Sequence, residues 1–360
     1  MTAVSAPSAR PRRPANTVTQ TFTALAQATR SLGLQDRARW FYLLLFTGLV
    51  VALGGAVTGL ILLGDSWLQL LIAGAFGLIF TQFAFLGHEA SHRQVLASGP
   101  ANDRVGRVLA TLFVGISYSW WMNKHSRHHA NPNKIGKDPD IELDTVSFHP
   151  ASAATRRGLM AWITRRQGYL FFPLLLLEGV NLHITSIRGL FTRGPLAGRR
   201  LELVLLGVRL GGFLGVVFWL LPLGVAFAFL GVQLAVFGLY MGSSFAPNHV
   251  GMPIVPADAK LDFLSKQVRT SRNVSGGWWA TLLMGGLNYQ IEHHLFPSMP
   301  RPHLARARQL VRDHCRTHNV PYTETSLIQA WGIVISYLNR VGLAARDSFR
   351  CPVAGQLGRA

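Results

Sequence analysis

Four long stretches with almost no charge restrict the fold of this 360-residue chain more than any other feature. Residues 41–63 and 67–87 contain no charged side chain, and residues 203–221 and 225–242 contain only Arg209. A helix of that first length is about 34 Å long, which is enough to cross the roughly 30 Å hydrocarbon core of a bilayer. The sequence therefore predicts an all-α integral membrane protein with four transmembrane helices.

Short breaks join these stretches in pairs, so each pair is predicted to form a hairpin. Residues 64–66 separate the first two stretches, and residues 222–224 separate the last two. Residues 105–121 and 170–177 are apolar but short or interrupted by charges, which predicts re-entrant or interfacial helices. Glycines four residues apart, which favour close helix packing, lie in the first and third stretches: Gly55, Gly59, Gly211 and Gly215.

The positive charge of the chain is distributed unevenly. A net charge of +19 would suggest a nucleic-acid partner, but a mean hydropathy of +0.26 points to a bilayer. Of the 35 Lys and Arg residues, 34 lie outside residues 41–87 and 203–248. Because cytoplasmic loops carry the excess of basic residues, we expect both termini and the large loops in the cytoplasm. The expected location is a bacterial plasma membrane, with no nucleic-acid partner.

The two ends of the chain differ in composition from the rest. Residues 1–35 contain no acidic residue and are rich in Ala, Ser, Thr, Arg and Pro, which predicts a disordered basic arm. Residues 36–345 are predicted to form one membrane domain, and residues 346–360 a disordered tail. Cys315 and Cys351 form no metal-binding or disulfide motif and would lie in a reducing compartment.

Histidine clusters carry the main chemical signal. Eight of the 13 histidines fall at four places, all on the deduced cytoplasmic face: His88 and His92; His125, His128 and His129; His249; and His293 and His294. Residues three or four apart on a helix share a face, so both imidazoles of such a pair can reach one ion. Because adjacent helical residues point in different directions, the adjacent histidines of one turn can reach two different places.

These imidazoles predict a metal centre. A single pair at this spacing is usually without function, but three clusters and a fourth histidine on one face are hard to dismiss together. Imidazole suits borderline transition metals, and eight neutral rings exceed the needs of one ion. The sequence therefore predicts two metal ions.

Three other classes of metal site fit less well. A soluble-type di-iron carboxylate bundle needs two Glu-x-x-His motifs, and only Glu89 to His92 matches. Residues 88–92 (HEASH) match the zinc-protease pattern His-Glu-x-x-His, but that pattern uses only two of the eight clustered histidines. A membrane cytochrome would bury its axial histidines within the spans, whereas these lie at the span ends or beyond. A histidine-rich di-iron centre fits the count best.

The clusters resemble the three histidine boxes of the membrane fatty acid desaturases, HxxxH, HxxHH and QxxHH. The similarity extends over residues 39–302, and residues 290–297 (QIEHHLFP) resemble the acyl-lipid and front-end branch. In that branch Gln290 stands where other members have histidine, which makes it a possible metal ligand. His249, preceded by Asn248, matches the position of a further histidine ligand.

The resemblance implies a fold and an activity. It implies four transmembrane helices in two hairpins, with a cytoplasmic helical domain that carries two iron ions on the eight clustered histidines. It implies O2-dependent introduction of a cis double bond into the acyl chain of an acyl-CoA or a membrane lipid. Front-end members usually carry a fused cytochrome b5 domain, and this sequence has no such segment. We therefore expect a separate electron donor, either a ferredoxin or an NAD(P)H-dependent reductase.

Several acidic residues beside the boxes have two interpretations. Asp138 and Asp140 either orient metal-bound imidazoles or form a solvated acidic turn, and the same alternatives hold for Glu89 and Glu292. Two other functions also stay open. A related di-iron hydroxylase or ketolase would add oxygen to its substrate, and a histidine-rich metal transporter would need polar ligands at mid-membrane.

Overall fold

A computed structural model describes residues 17–142, 144–192 and 196–345, and these ranges are mostly helical. The predictions of disorder for residues 1–16 and 346–360 lie outside the described residues, as does Cys351. The helices of the first half are Thr17–Ser31 (α1), Arg39–Leu62 (α2), Gln69–Ser91 (α3), Gly99–Arg107 (α4), Tyr118–Ala130 (α5), Pro150–Ala154 (α6), Gly158–Thr164 (α7) and Gln167–Leu190 (α8).

The second half continues with helices and two short strands. The helices are Arg199–Leu206 (α9), Gly212–Leu220 (α10), Leu223–His249 (α11), Phe263–Arg269 (α12), Gly277–Leu283 (α13), Gln290–Leu295 (α14), Arg301–Thr317 (α15) and Leu327–Gly342 (α16). The strands Asn273–Ser275 (β1) and Glu324–Ser326 (β2) pair in parallel. Val108–Val114 and Gly207–Gly211 are π-helical, and Leu287–Tyr289 and Leu343–Ala345 are 3-10 helical.

Six helices within the described ranges are long and apolar enough to cross a membrane. Four of them cover the predicted spans: α2, α3, Arg199–Leu220 and α11. The other two are α8 and Leu327–Ala345, so the prediction of four spans in two hairpins is not confirmed by length and composition. Residues 170–177, predicted as a short interfacial piece, belong to the continuous 24-residue helix α8.

Helix α8 continues past the charges that interrupted its apolar pattern because it packs closely on α11. A Cβ added at Gly238 would lie 2.5 Å from the carbonyl oxygen of Leu175, so only glycine allows this approach. The glycines predicted for close packing behave differently. Gly59 would meet Ile72, but a Cβ at Gly55, Gly211 or Gly215 would meet nothing within 4 Å. Spacing alone did not reveal which glycines lie at crossings.

The prediction of a disordered arm is wrong from Thr17 onwards, because α1 packs on the chain. Leu25 and Leu34 are buried, and the ring of Phe22 lies 4.9 Å from that of Phe263. They belong to an apolar core shared with α12, α14 and α15. The apolar residues of α1 at helical spacing outweigh the basic composition that suggested disorder.

Two apolar cores hold most of the helices that carry the histidines. The first joins α2, α3, α10 and α11 through buried aromatic side chains such as Phe76, Phe80 and Phe229. The second is the core that holds α1, and its Cys315 is a buried free thiol. The ends of α3, α5 and α11 meet α14 through their histidine rings. The fold therefore brings histidines distant in sequence to one buried place.

Candidate metal centre

Four helices bring the eight clustered histidines together. They come from the end of α3, from α5, from the last residue of α11 and from α14. Their ligand nitrogens form two groups, each with all its members within 4.8 Å of one another. The first histidine group is His88, His92, His125, His129 and His293. The second histidine group is His128, His249 and His294.

The first group is closely packed around the Nε2 atoms of its rings. Nε2 of His125 lies 3.1 Å from Nε2 of His88 and 2.7 Å from Nε2 of His92. Nε2 of His129 lies 3.2 Å from Nε2 of His293. The ring of Trp121 stacks on that of His125 at 4.3 Å and closes one side of the group.

The second group shows most directly that the site fits a metal ion. Each ring has an oxygen acceptor at Nδ1: Asp138 for His128 at 3.0 Å, the Thr270 carbonyl for His249 at 2.9 Å, and Gln267 Oε1 for His294 at 2.9 Å. A neutral imidazole has one N–H, so these contacts place it on Nδ1 and leave each Nε2 with its lone pair. These lone pairs converge, and the buried Nε2 of His294 has no hydrogen-bond partner. A cation is the natural partner for such an arrangement.

Burial keeps most of these rings in the neutral form that binds metal. It lowers the pKa of His92 to about 3 and that of His294 well below the usual value, with neighbouring imidazoles adding to the effect. Burial also acts on His128, but the carboxylates of Asp140 and Asp138 outweigh it and raise the pKa of that ring. Neutral rings are the metal-ligating form of histidine.

The acidic turn after α5 contacts the second group rather than only solvent. Asp138 is fully buried, and its two carboxylate oxygens lie 3.0 and 3.1 Å from Nδ1 of His128. The backbone N–H of Asn133 also donates to Asp138. Asp140 is partly exposed, lies 3.2 Å from the same Nδ1 and pairs with Lys124 at 2.9 Å. Both carboxylates thus lie where they can orient His128.

The other predicted polar residues lie beside the centre in different ways. Nε2 of Gln290 lies 2.9 Å from Nε2 of His249, and Gln290 Oε1 accepts a hydrogen bond from Asn248. Glu89 does not contact an imidazole, because its carboxylate pairs with Arg301 at 2.6 and 2.7 Å. Glu292 is bound by Asn273 and Tyr322, and burial raises its pKa to about 7.

Several residues of this site carried no signal in the sequence. Gln267, Thr270 and Arg301 contact the centre or its neighbours from distant segments, so only the folded chain reveals them. Trp121 precedes His125 by four residues, and that spacing could have placed it on the same helix face. The five histidines outside the clusters, namely His149, His183, His303, His314 and His318, belong to neither histidine group.

A cavity of about 440 Å³ reaches both histidine groups. Its walls touch His88, His125, His128 and His249 and are otherwise largely apolar, with side chains from α5, α8, α11 and residues 139–148. Its charged lining residues, histidines apart, are Lys124, Asp140, Glu142, Asp144 and Glu178. A mostly apolar pocket of this size is typical of a small-ligand site.

Comparisons with known proteins agree with this geometry. A family model described as fatty acid desaturase matches residues 65–326. A Delta(8)-fatty-acid desaturase of Helianthus annuus is 29% identical over 328 residues, which cover 85% of this chain and 69% of the relative. An acyl-lipid (9-3)-desaturase of Borago officinalis is 26% identical over 92% of this chain and 76% of its own length. A Delta(6)-fatty-acid desaturase of Caenorhabditis elegans is 28% identical over 73% of this chain and 62% of its own length.

Proposed function

The chain belongs to the fatty acid desaturase family of oxidoreductases, and we propose that it introduces a cis double bond into a fatty acyl chain in an O2-dependent reaction at two iron ions. The observation that carries this proposal is the convergence of imidazole nitrogens in two groups beside a largely apolar cavity. An acyl chain lying in that cavity would have its methylenes next to the imidazoles.

The two histidine groups would each hold one iron ion. The first group offers five imidazoles, and the second offers three, with Gln290 beside His249 as a further possible ligand. When bound, the pair would supply the reduction of O2 and the removal of hydrogen from methylenes that no side chain can perform alone.

The protein's own part is positioning and exclusion of water. Asp138, Gln267 and the Thr270 carbonyl hold the Nδ1–H of the three rings in the second group and so fix their orientation. Leu175 and Phe245 line the cavity with apolar surface, which keeps water away from the reacting carbons. The cavity fixes which C–C bond lies beside the imidazoles.

We also propose an orientation in the membrane. Four helices cross it in two hairpins at residues 41–63, 67–87, 203–221 and 225–242, with both termini and the histidines on the cytoplasmic side. The bias of Lys and Arg supports this orientation.

Expression in a host that lacks this activity tests the function. Gas chromatography with double-bond localisation on the host lipids should show a new cis-unsaturated acyl chain, two hydrogens lighter than its precursor. A product heavier by one oxygen would instead identify a hydroxylase. Unchanged lipids in cells that accumulate metal-loaded protein would favour a metal-binding or transport role.

The Asp138 carboxylate should strengthen metal binding. Replacing Asp138 with Asn removes the charge that holds His128, and loss of such a contact typically weakens metal affinity about 10–100-fold. Competition with a chelator, read as iron retained per chain, measures the effect. The matched control is Asp313→Asn, an exposed carboxylate on α15. Equal iron retention in both variants would contradict the assigned role.

The charge of the cavity favours a lipid-linked substrate over acyl-CoA. Four carboxylates and one lysine line it, and Lys124 already pairs with Asp140. These charges repel the phosphates of CoA but tolerate a choline head group. With one acyl chain on both carriers, we expect kcat/KM to be at least about tenfold higher for phosphatidylcholine. The double variant Glu142→Gln/Asp144→Asn should reduce the difference in kcat/KM between the two carriers. A preference of the native enzyme for acyl-CoA would contradict the role assigned to the cavity charges.

A further inference from the structure

The histidine cluster has two sides, and only one of them faces the cavity. His88, His125, His128 and His249 line the cavity. His129 and His294 instead contact α12 through Gln267. A protein that bound near α12 would therefore leave the cavity open for substrate. The side at α12 is also the one whose outer surface carries basic residues.

Five basic residues cluster around α12, and we call them the α12 surface: Lys134, Lys137, Lys260, Lys266 and Arg269. Nζ of Lys266 donates to the carbonyl of Ala130 at 2.6 Å, and Nζ of Lys134 donates to that of Ala259 at 2.8 Å. Burial and the neighbouring ammonium of Lys134 lower the pKa of Lys266. Like charges are thus held close together.

The basic residues of this surface form no close ion pair within the described part of the chain. No salt bridge among the described residues joins any of the five to a carboxylate. Four acidic residues lie nearby in sequence. Asp138 faces His128, Asp140 pairs with Lys124, and Asp262 caps α12 by accepting from the backbone N–H of Ser265, which leaves the exposed Asp258. An uncompensated basic surface is complementary to an acidic partner.

One buried side chain connects this surface to the second histidine group. Gln267, only 1% exposed, follows Lys266 in α12. Its Nε2 donates to the carbonyl of His129 at 2.9 Å, and its Oε1 lies 2.9 Å from Nδ1 of His294. The side-chain amide of Gln267 therefore lies between the α12 surface and the imidazole of His294.

We propose that the α12 surface is the docking site of a small acidic electron-carrier protein of the ferredoxin type, an inference that rests on the proposed function. Each docking event oxidises the carrier by one electron. Two events deliver two electrons. Together with the two electrons and two protons removed from the acyl chain and two protons from solvent, these reduce one O2 to two water molecules. The acidic cavity lining would repel such a carrier, which favours the α12 side.

Charge reversal on exposed residues tests the docking site. The test variant is Lys137→Glu/Lys260→Glu/Arg269→Glu, and the control is Arg306→Glu/Arg312→Glu/Arg316→Glu on α15. All six residues are exposed, and both variants change the net charge equally. The probe is an acidic [2Fe–2S] ferredoxin, and its Kd for the full-length enzyme in nanodiscs is measured at low salt. We expect at least about a tenfold weaker Kd for the test variant and less than about a threefold change for the control.

Turnover separates docking from the chemistry at the centre. The test variant should show a higher KM for reduced ferredoxin but the native rate with dithionite-reduced methyl viologen, which needs no docking surface. Equal loss of ferredoxin binding in both variants would overturn the proposal, because it would show a response to net charge. If ferredoxin binding were unchanged but turnover no longer depended on anionic phosphatidylglycerol, the surface would be assigned to lipid head groups. That result would also overturn the proposal. Native ferredoxin binding without any desaturated product would refute the proposed function but not the docking site.

Discussion

Replacement of His294 with alanine is expected to abolish desaturation and leave the protein inserted in the membrane. His294 offers the free Nε2 of the second histidine group, and its ring stacks on that of His129 in the first group at 4.2 Å. The second group has only three imidazoles, so removal of one leaves two. We expect product to fall below detection and iron to fall by about one ion per chain. His128→Ala should behave in the same way.

The matched control for this prediction is His318→Ala, an exposed histidine outside both groups. It should retain native activity and iron. Membrane fractionation and circular dichroism should show the same insertion and helix content for all variants. Retained activity in both His294→Ala and His128→Ala would remove the argument for a centre built on the second histidine group.

Replacement of Arg301 with glutamine is expected to cause the largest loss of stability. The guanidinium of Arg301 and the carboxylate of Glu89 are both buried, less than 5% exposed, and they meet at 2.6 and 2.7 Å. This pair ties the start of α15 to the end of α3 beside His88. Removing one partner of a buried pair leaves an uncompensated charge and typically costs about 3–5 kcal/mol.

Thermal unfolding in detergent measures this effect. The double variant Glu89→Gln/Arg301→Gln removes both charges and should recover much of the lost stability. Arg308→Gln breaks the partly exposed pair with Glu324, and we expect it to cost only about 0–1 kcal/mol. A similar melting temperature for Arg301→Gln and Arg308→Gln would show that the buried pair contributes little.

The spacing of the boxes agrees with how the histidines divide between the two groups. Successive residues of a helix point about 100° apart, so His128 and His129 face different directions and belong to different groups. The same holds for His293 and His294. The apolar stretches likewise predicted the helices that carry these residues. These features depend on local geometry, which the sequence encodes directly.

Other features depend on contacts between distant segments, and the sequence did not reveal them. The acceptors at Gln267 and Thr270 lie on or beside α12, far from any box in the sequence. Glu89 was a candidate to orient a metal-bound imidazole, but Arg301 binds it instead. The predicted helix at residues 170–177 ended at the charges of α8, because hydropathy carries no information about the close packing of α8 on Gly238. Such tertiary contacts override local patterns.

The iron content of the purified protein tests the central claim most directly. Elemental analysis combined with Mössbauer spectroscopy counts the ions and identifies their ligand field. A centre formed by the two histidine groups predicts two iron ions per chain, both in nitrogen-rich surroundings, and loss of one of them in His294→Ala. A chain that binds zinc or copper instead, or that holds its iron unchanged in His294→Ala, would contradict it.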